Sequence, residues 1–82
     1  MSYNTWKHCT EIIETLPYEY WVRENEWQEG TYQAIVHDPF FPEDVYQCNI
    51  VMKDKSRSVT MHKAKSLAAA KQWFKVRGML TI

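Results

Sequence analysis

Apolar residues recur along residues 5–16 with the spacing of a helix. At about 100° per residue, Trp6, Cys9, Ile12, Ile13 and Leu16 fall on one arc and Lys7, Glu11 and Glu14 fall opposite. Asn4 is placed to cap such a helix. Pro17 is placed to end it, because a residue before proline is pushed out of the helical region. The period then drops to two. "YEYWVREN" (18–25) and "TYQAIVH" (31–37) predict strands joined through "EWQEG", with Gly30 as the turn residue. "DPFFPED" predicts a loop between two prolines. In "VYQCNIVMKD" (45–54), Tyr46, Cys48, Ile50 and Met52 share one strand face and Gln47 and Asn49 the other.

A polar turn, "DKSRS", leads to a short strand, "SVTMH", that pairs back. The final helix is expected to begin between Thr60 and Ser66, either of which suits a cap. Leu67, Ala69, Ala70, Trp73, Phe74 and Val76 occupy about half its circumference, and Gly78 is placed to stop it. The expected fold is therefore α+β in the order α-β-β-β-β-α. A three- to four-stranded antiparallel sheet carries an N-terminal and a C-terminal helix on one face. Its other face is left to solvent or to a second copy of the chain.

Eighty-two residues make a single domain, and four Trp, five Tyr and three Phe supply the dense core that so short a chain needs. Nothing approaches the roughly 20 apolar residues of a membrane span, and the first residues lack the basic and apolar regions of a signal peptide. Cys9 and Cys48 then read as small buried hydrophobes of a reducing cytoplasm rather than as a disulfide. Charge is segregated. Residues 1–50 carry Lys7 and Arg23 against nine acids, and residues 51–82 carry eight Lys and Arg against Asp54. That asymmetry predicts two oppositely charged surfaces, or two halves that neutralise each other across the fold.

"LPYEYWVRE" after an N-terminal helix, "TYQAIV" as the next strand and "TMHKAKSLAAAK" opening the last helix resemble the double-stranded-RNA-binding domain. Ala64, Lys65, Ala68 and Ala69 match the second part of that family's K-K-x-A-K-x-x-A-A motif, while Met61 and His62 stand where its paired lysines belong. The resemblance implies an α-β-β-β-α fold. It also implies that His62, Lys63 and Lys65 meet the phosphates of an RNA duplex by shape, and the alternative function, nucleic-acid binding by the basic last helix, adds Lys71 and Lys75. Charge argues the other way. A nucleic-acid binder neutralises about 6–10 phosphates and such domains commonly have a pI above about 9, whereas the pI here is 6.8. The lysine row then reads as a solvated helix face.

No Cys-x-x-Cys, His-x-x-x-His or Glu-x-x-His occurs, and two glycines cannot build a phosphate loop. No metal, cofactor or enzymatic activity is expected. The aromatics exceed what one core layer uses, and interfaces favour aromatic anchors. The expected function is thus that of a small interaction protein that occludes a surface on a protein partner, itself a nucleic-acid-binding protein with a basic groove. The expected contacts are the acidic hairpin (Glu19, Glu24, Glu26 and Glu29), with Trp21 and Trp27 as anchors and Phe40 and Phe41 in the proline loop. In size and surface alone the chain is also similar to the small anti-defence proteins of phages and mobile elements, anti-CRISPR inhibitors among them. That likeness implies the host cytoplasm as the place of action.

Overall fold

The computed structural model describes residues 5–82. Five strands, β1 (Lys7–Ile13), β2 (Leu16–Glu24), β3 (Thr31–His37), β4 (Tyr46–Met52) and β5 (Ser58–Ala64), are followed by one helix, α1 (Leu67–Arg77). The strands form an antiparallel meander in the spatial order β1-β2-β3-β4-β5. The expected order α-β-β-β-β-α is therefore wrong at its first element. Residues 7–24 are a β-hairpin, and among the described residues α1 is the only helix. Asn4, the expected cap, lies outside the described residues. The α-β-β-β-α order implied by the family resemblance is likewise not the order found.

Local chemistry explains the strand. Thr10, Ile12 and Ile13 are β-branched, which restricts χ1 in a helix and suits a pleated strand. Glu14 (φ 49°) and Thr15 (φ 71°) both take positive φ, the signature of a two-residue type I′ turn, and Ile13 pairs with Leu16 to close it. In such a hairpin the closing pair is hydrogen-bonded and the next pair, Ile12 and Pro17, is not. The Pro17 nitrogen therefore faces away from β1. The β3 register begins only at Glu19 opposite His37, so no ladder bond is lost to the proline. Of the apolar arc, Trp6 packs against the core, whereas Ile12 is 68% exposed.

α1 lies across one sheet face. Its core holds Trp21, Ile35, Cys48, Ala64, Ala70 and Phe74, flanked by Trp6, Tyr46, Leu67 and Trp73. Cross-strand register accounts for that set, since Trp21, Ile35 and Cys48 are direct neighbours on β2, β3 and β4. Ser66 caps the helix by accepting a hydrogen bond from the Ala69 amide at 3.1 Å. Leu67, Ala70, Trp73 and Phe74 turn inward, while Ala69 and Val76 face out. Gly78 ends the helix for a reason of space. Its φ is −74°, and a Cβ there would overlap the Phe74 carbonyl and come within 3.2 Å of Gln33 Nε2.

Three amide side chains bind the C-terminal tail to the β2–β3 turn. Gln33 Nε2 donates to the Gly78 carbonyl at 2.9 Å, and Asn25 Nδ2 donates to Thr31 Oγ1 and to the Leu80 carbonyl. Gln28 accepts from the Ile82 amide at 2.7 Å and donates to the Ile82 carbonyl. Asn25, Thr31 and Gln33 are buried, so each bond replaces one that water would otherwise make.

The opposite sheet face carries no helix. Cys9, Tyr20, Val36 and Gln47 form one row across it, and Lys7, Val22, Ala34, Asn49 and Thr60 the next. Cys9 and Cys48 thus lie on opposite faces, and both are free thiols. The two halves of the chain neutralise each other in part. Lys53 pairs with Glu24 at 2.6 Å and Lys63 with Glu43 at 3.4 Å, each joining the basic half of the chain to the acidic half. Among the described residues no helix is long and apolar enough to cross a membrane.

Candidate docking groove

A groove of about 730 Å³ opens on the helix-bearing side, between the β2–β3 turn and the outer flank of α1. At its floor the Trp6 ring packs on Phe74, with centroids 5.3 Å apart, and the Arg23 guanidinium lies 4.2 Å above the Trp6 ring. Period two places Arg23 here. It follows Glu19 and Trp21 on the helix-side face of β2, at the end of the sheet where α1 runs out. Its Nε donates to Gln33 Oε1 at 2.7 Å. Among the described residues no carboxylate forms an ion pair with it. Burial lowers the Arg23 pKa from its usual value, and the charge of Glu26 opposes that shift. The result is a stacked, partly desolvated cation with its outer nitrogens unengaged by acid. Such a group is suited to a carboxylate or phosphate.

The walls come from distant parts of the chain. Trp27 stands 49% exposed on the turn, which is held in shape as Asn25 Oδ1 accepts the Trp27 amide at 3.1 Å. Lys71 and Lys75, one helical turn apart on α1, form the far wall. Val76 and Met79, both largely exposed, close the end near the tail. Charge on the lining is three cations against Glu26.

The expected contact residues do not converge on one surface. Trp21 is 8% exposed and belongs to the core, so it is not available as an anchor. Glu24 is held by Lys53, and Glu26 and Trp27 line the groove while Glu29 is exposed on the same turn. Glu19, Phe40 and Phe41 lie toward the other end of β3, about 20 Å away at strand rise. There Asp38 Oδ1 accepts the Phe40 amide at 2.8 Å, Phe40 is exposed, and Lys63 Nζ sits 5.0 Å from the Phe41 ring.

The lysine row is divided as well. His62 stacks on Trp73 at 5.1 Å on the helix side of β5, and Lys63 points to the opposite sheet face. Lys65 sits in the link before Ser66, outside α1. Lys71 and Lys75 alone of that row line the groove, beside Trp27. Sequence reasoning missed Trp6, Arg23 and Met79. A charge at every-second-residue spacing from Trp21 was the available signal for Arg23.

A second polar cluster lies at the other end of the sheet. His8 Nε2 is 3.1 Å from Glu19 Oε1, His37 Nδ1 is 3.9 Å from Glu19 Oε2, and His37 Nε2 is 2.9 Å from Asp44. Thr10 Oγ1 approaches the same His8 nitrogen at 3.4 Å that meets Glu19. One nitrogen cannot both take a proton from Thr10 and be oriented by the carboxylate, so this is not a nucleophile relay. His8 stacks on Trp21 at 4.6 Å and His37 on Tyr46 at 4.5 Å, which fixes both rings. Among the described residues no three His, Cys, Asp or Glu side chains gather as metal ligands. Burial pushes the Cys48 thiol up to about 12, far from a reactive thiolate.

No protein-family model, curated protein or solved structure matches the chain.

Proposed function

We propose that this chain is a non-enzymatic interaction protein that occludes a surface on a protein partner, and that the groove between the β2–β3 turn and α1 is where it docks. The observation that carries the reading is the Arg23 guanidinium, stacked on Trp6 without an acidic partner, in the same groove as the exposed Trp27. With Lys71 and Lys75 on the facing wall, the groove suits an acidic segment that also carries apolar side chains. The partner chemistry is thus the reverse of the basic groove expected from the hairpin acids, because Glu24 is already paired with Lys53 and Glu26 is the one acid among the three cations of the groove lining. Trp27 and Met79 supply apolar area on the walls, beside the Trp6 and Phe74 floor, and the lysines supply steering.

The test is capture from the native host after nuclease treatment. Wild-type protein should retain one protein in stoichiometric amount, and Trp27→Ala or Lys71→Glu/Lys75→Glu should release it. Capture that survives both changes, or that disappears with the nuclease alone, would contradict the reading.

A further inference from the structure

The two edges of the sheet differ. β5 carries a bulge near Cys48 and Asn49 of its neighbour, and the cationic turn of Lys53, Lys55 and Arg57 leads into it. Both features discourage strand addition. β1 has neither. Its seven residues pair with β2 in unbroken register, contain no proline, and leave a full row of outward N–H and C=O groups. β1 is exposed at every position but Cys9, and Ile12 and Ile13 at its end have no cover.

The hairpin geometry decides which groups face outward. Ile13 and Leu16 are the hydrogen-bonded closing pair, so Lys7, Cys9 and Glu11 bond toward β2, while His8, Thr10 and Ile12 present N–H and C=O to the open edge. A second β1 running antiparallel can bond to those groups only in registers of matching parity. Among them, the register centred on Cys9 places Lys7 opposite Glu11 of the second copy, and Glu11 opposite its Lys7. His8 and Thr10 then exchange the backbone bonds. A register shifted two residues toward the turn sets Lys7 against Ile13, and the next sets Glu11 against itself. Opposite charges across a strand pair stabilise it and like charges oppose it.

From this geometry we propose that β1 is a self-recognition edge, and that two copies of the chain join β1 to β1 about a twofold axis centred on Cys9, forming one continuous ten-stranded sheet. The charge pattern selects a second copy as the occupant, since the i, i+4 spacing of Lys7 and Glu11 makes the strand complementary to itself. The pairing lies on the strand farthest from β5 and uses none of the groove's charged residues, so it stands or falls apart from the docking reading.

Cys9 provides the direct readout. It and its copy form the non-hydrogen-bonded central pair, with Cα atoms about 4.5 Å apart, inside the range a disulfide spans. Diamide would accept two electrons and two protons from the two thiols and leave an S–S bond. The experiment is sedimentation of the full chain at increasing concentration up to about 100 μM, with diamide cross-linking in parallel. A species of twice 9.8 kDa is expected, along with an oxidised dimer that is absent in Cys9→Ser. Glu11→Lys should raise the dimer dissociation constant about tenfold or more, and the exchange Lys7→Glu/Glu11→Lys should restore it. Three results would each overturn the proposal: a monomer at every concentration, a dimer indifferent to Glu11→Lys, or an oxidised dimer that persists in Cys9→Ser.

Discussion

Gln33→Leu isolates the contact on which the groove depends. The side chain is 2% exposed, accepts from Arg23 Nε at 2.7 Å and donates to the Gly78 carbonyl at 2.9 Å. Leucine fills similar space and makes neither bond. Losing a bond to a charged donor costs about 1.5–3 kcal/mol and a neutral one about 1 kcal/mol. Arg23 is only partly buried and regains some solvent, which favours the lower figure. Burying leucine in place of the amide returns about 1 kcal/mol. The net loss is then about 1.5 kcal/mol, equivalent to a fall in Tm of about 6–12 °C for a domain of this size. Urea unfolding followed by tryptophan fluorescence measures it. Arg23→Met alone and in combination should complete a cycle with a coupling of at least about 1 kcal/mol. A loss below about 0.5 kcal/mol, or strict additivity with Arg23→Met, would refute the claim that Gln33 holds Arg23 in place.

Thr15→Gly should raise stability by about 1 kcal/mol in a thermal melt, because a β-branched residue at φ 71° is strained where glycine is not. Gly78→Ala should lower it by about 2 kcal/mol or more, since the added methyl meets the Phe74 carbonyl and the Gln33 amide. With a thiol reagent at pH 8, the native protein should lose Cys9 first. Cys48, with its pKa pushed up to about 12 by burial, has almost no thiolate there and should react only as the protein unfolds.

Residues 45–54 carried their structure openly. Tyr46, Cys48, Ile50 and Met52 lie on the helix side with Gln47 and Asn49 opposite, because alternation over seven residues admits one solution. The C-terminal helix was legible too, from Leu67, Ala70, Trp73 and Phe74, although Ala69 and Val76 of the expected stripe face out. The N-terminal segment misled for a physical reason. Trp6, Cys9, Ile12, Ile13 and Leu16 fit a 3.6-residue period by spacing, and the turn at Glu14 and Thr15 lacks the Asn-Gly that usually announces a hairpin. Trp21 reads as an anchor in the sequence because nothing local says which strand face the helix covers. The groove was hidden because Arg23, Trp27, Lys71 and Met79 meet only through the meander and the return of the tail. The separation of an acidic front half from a basic rear half is likewise offset in part in space, where Lys53 reaches Glu24 and Lys63 reaches Glu43.

In the proposed function a partner enters the groove beside Arg23. Nuclear magnetic resonance of the labelled chain, titrated with the captured partner, reads that directly. The Trp27 and Trp6 indole signals, the Arg23 side chain and the amides of Lys71 and Lys75 should move first and most. Shifts confined to Tyr18, Tyr20 and Val36 on the opposite sheet face, with the groove signals unchanged, would contradict it.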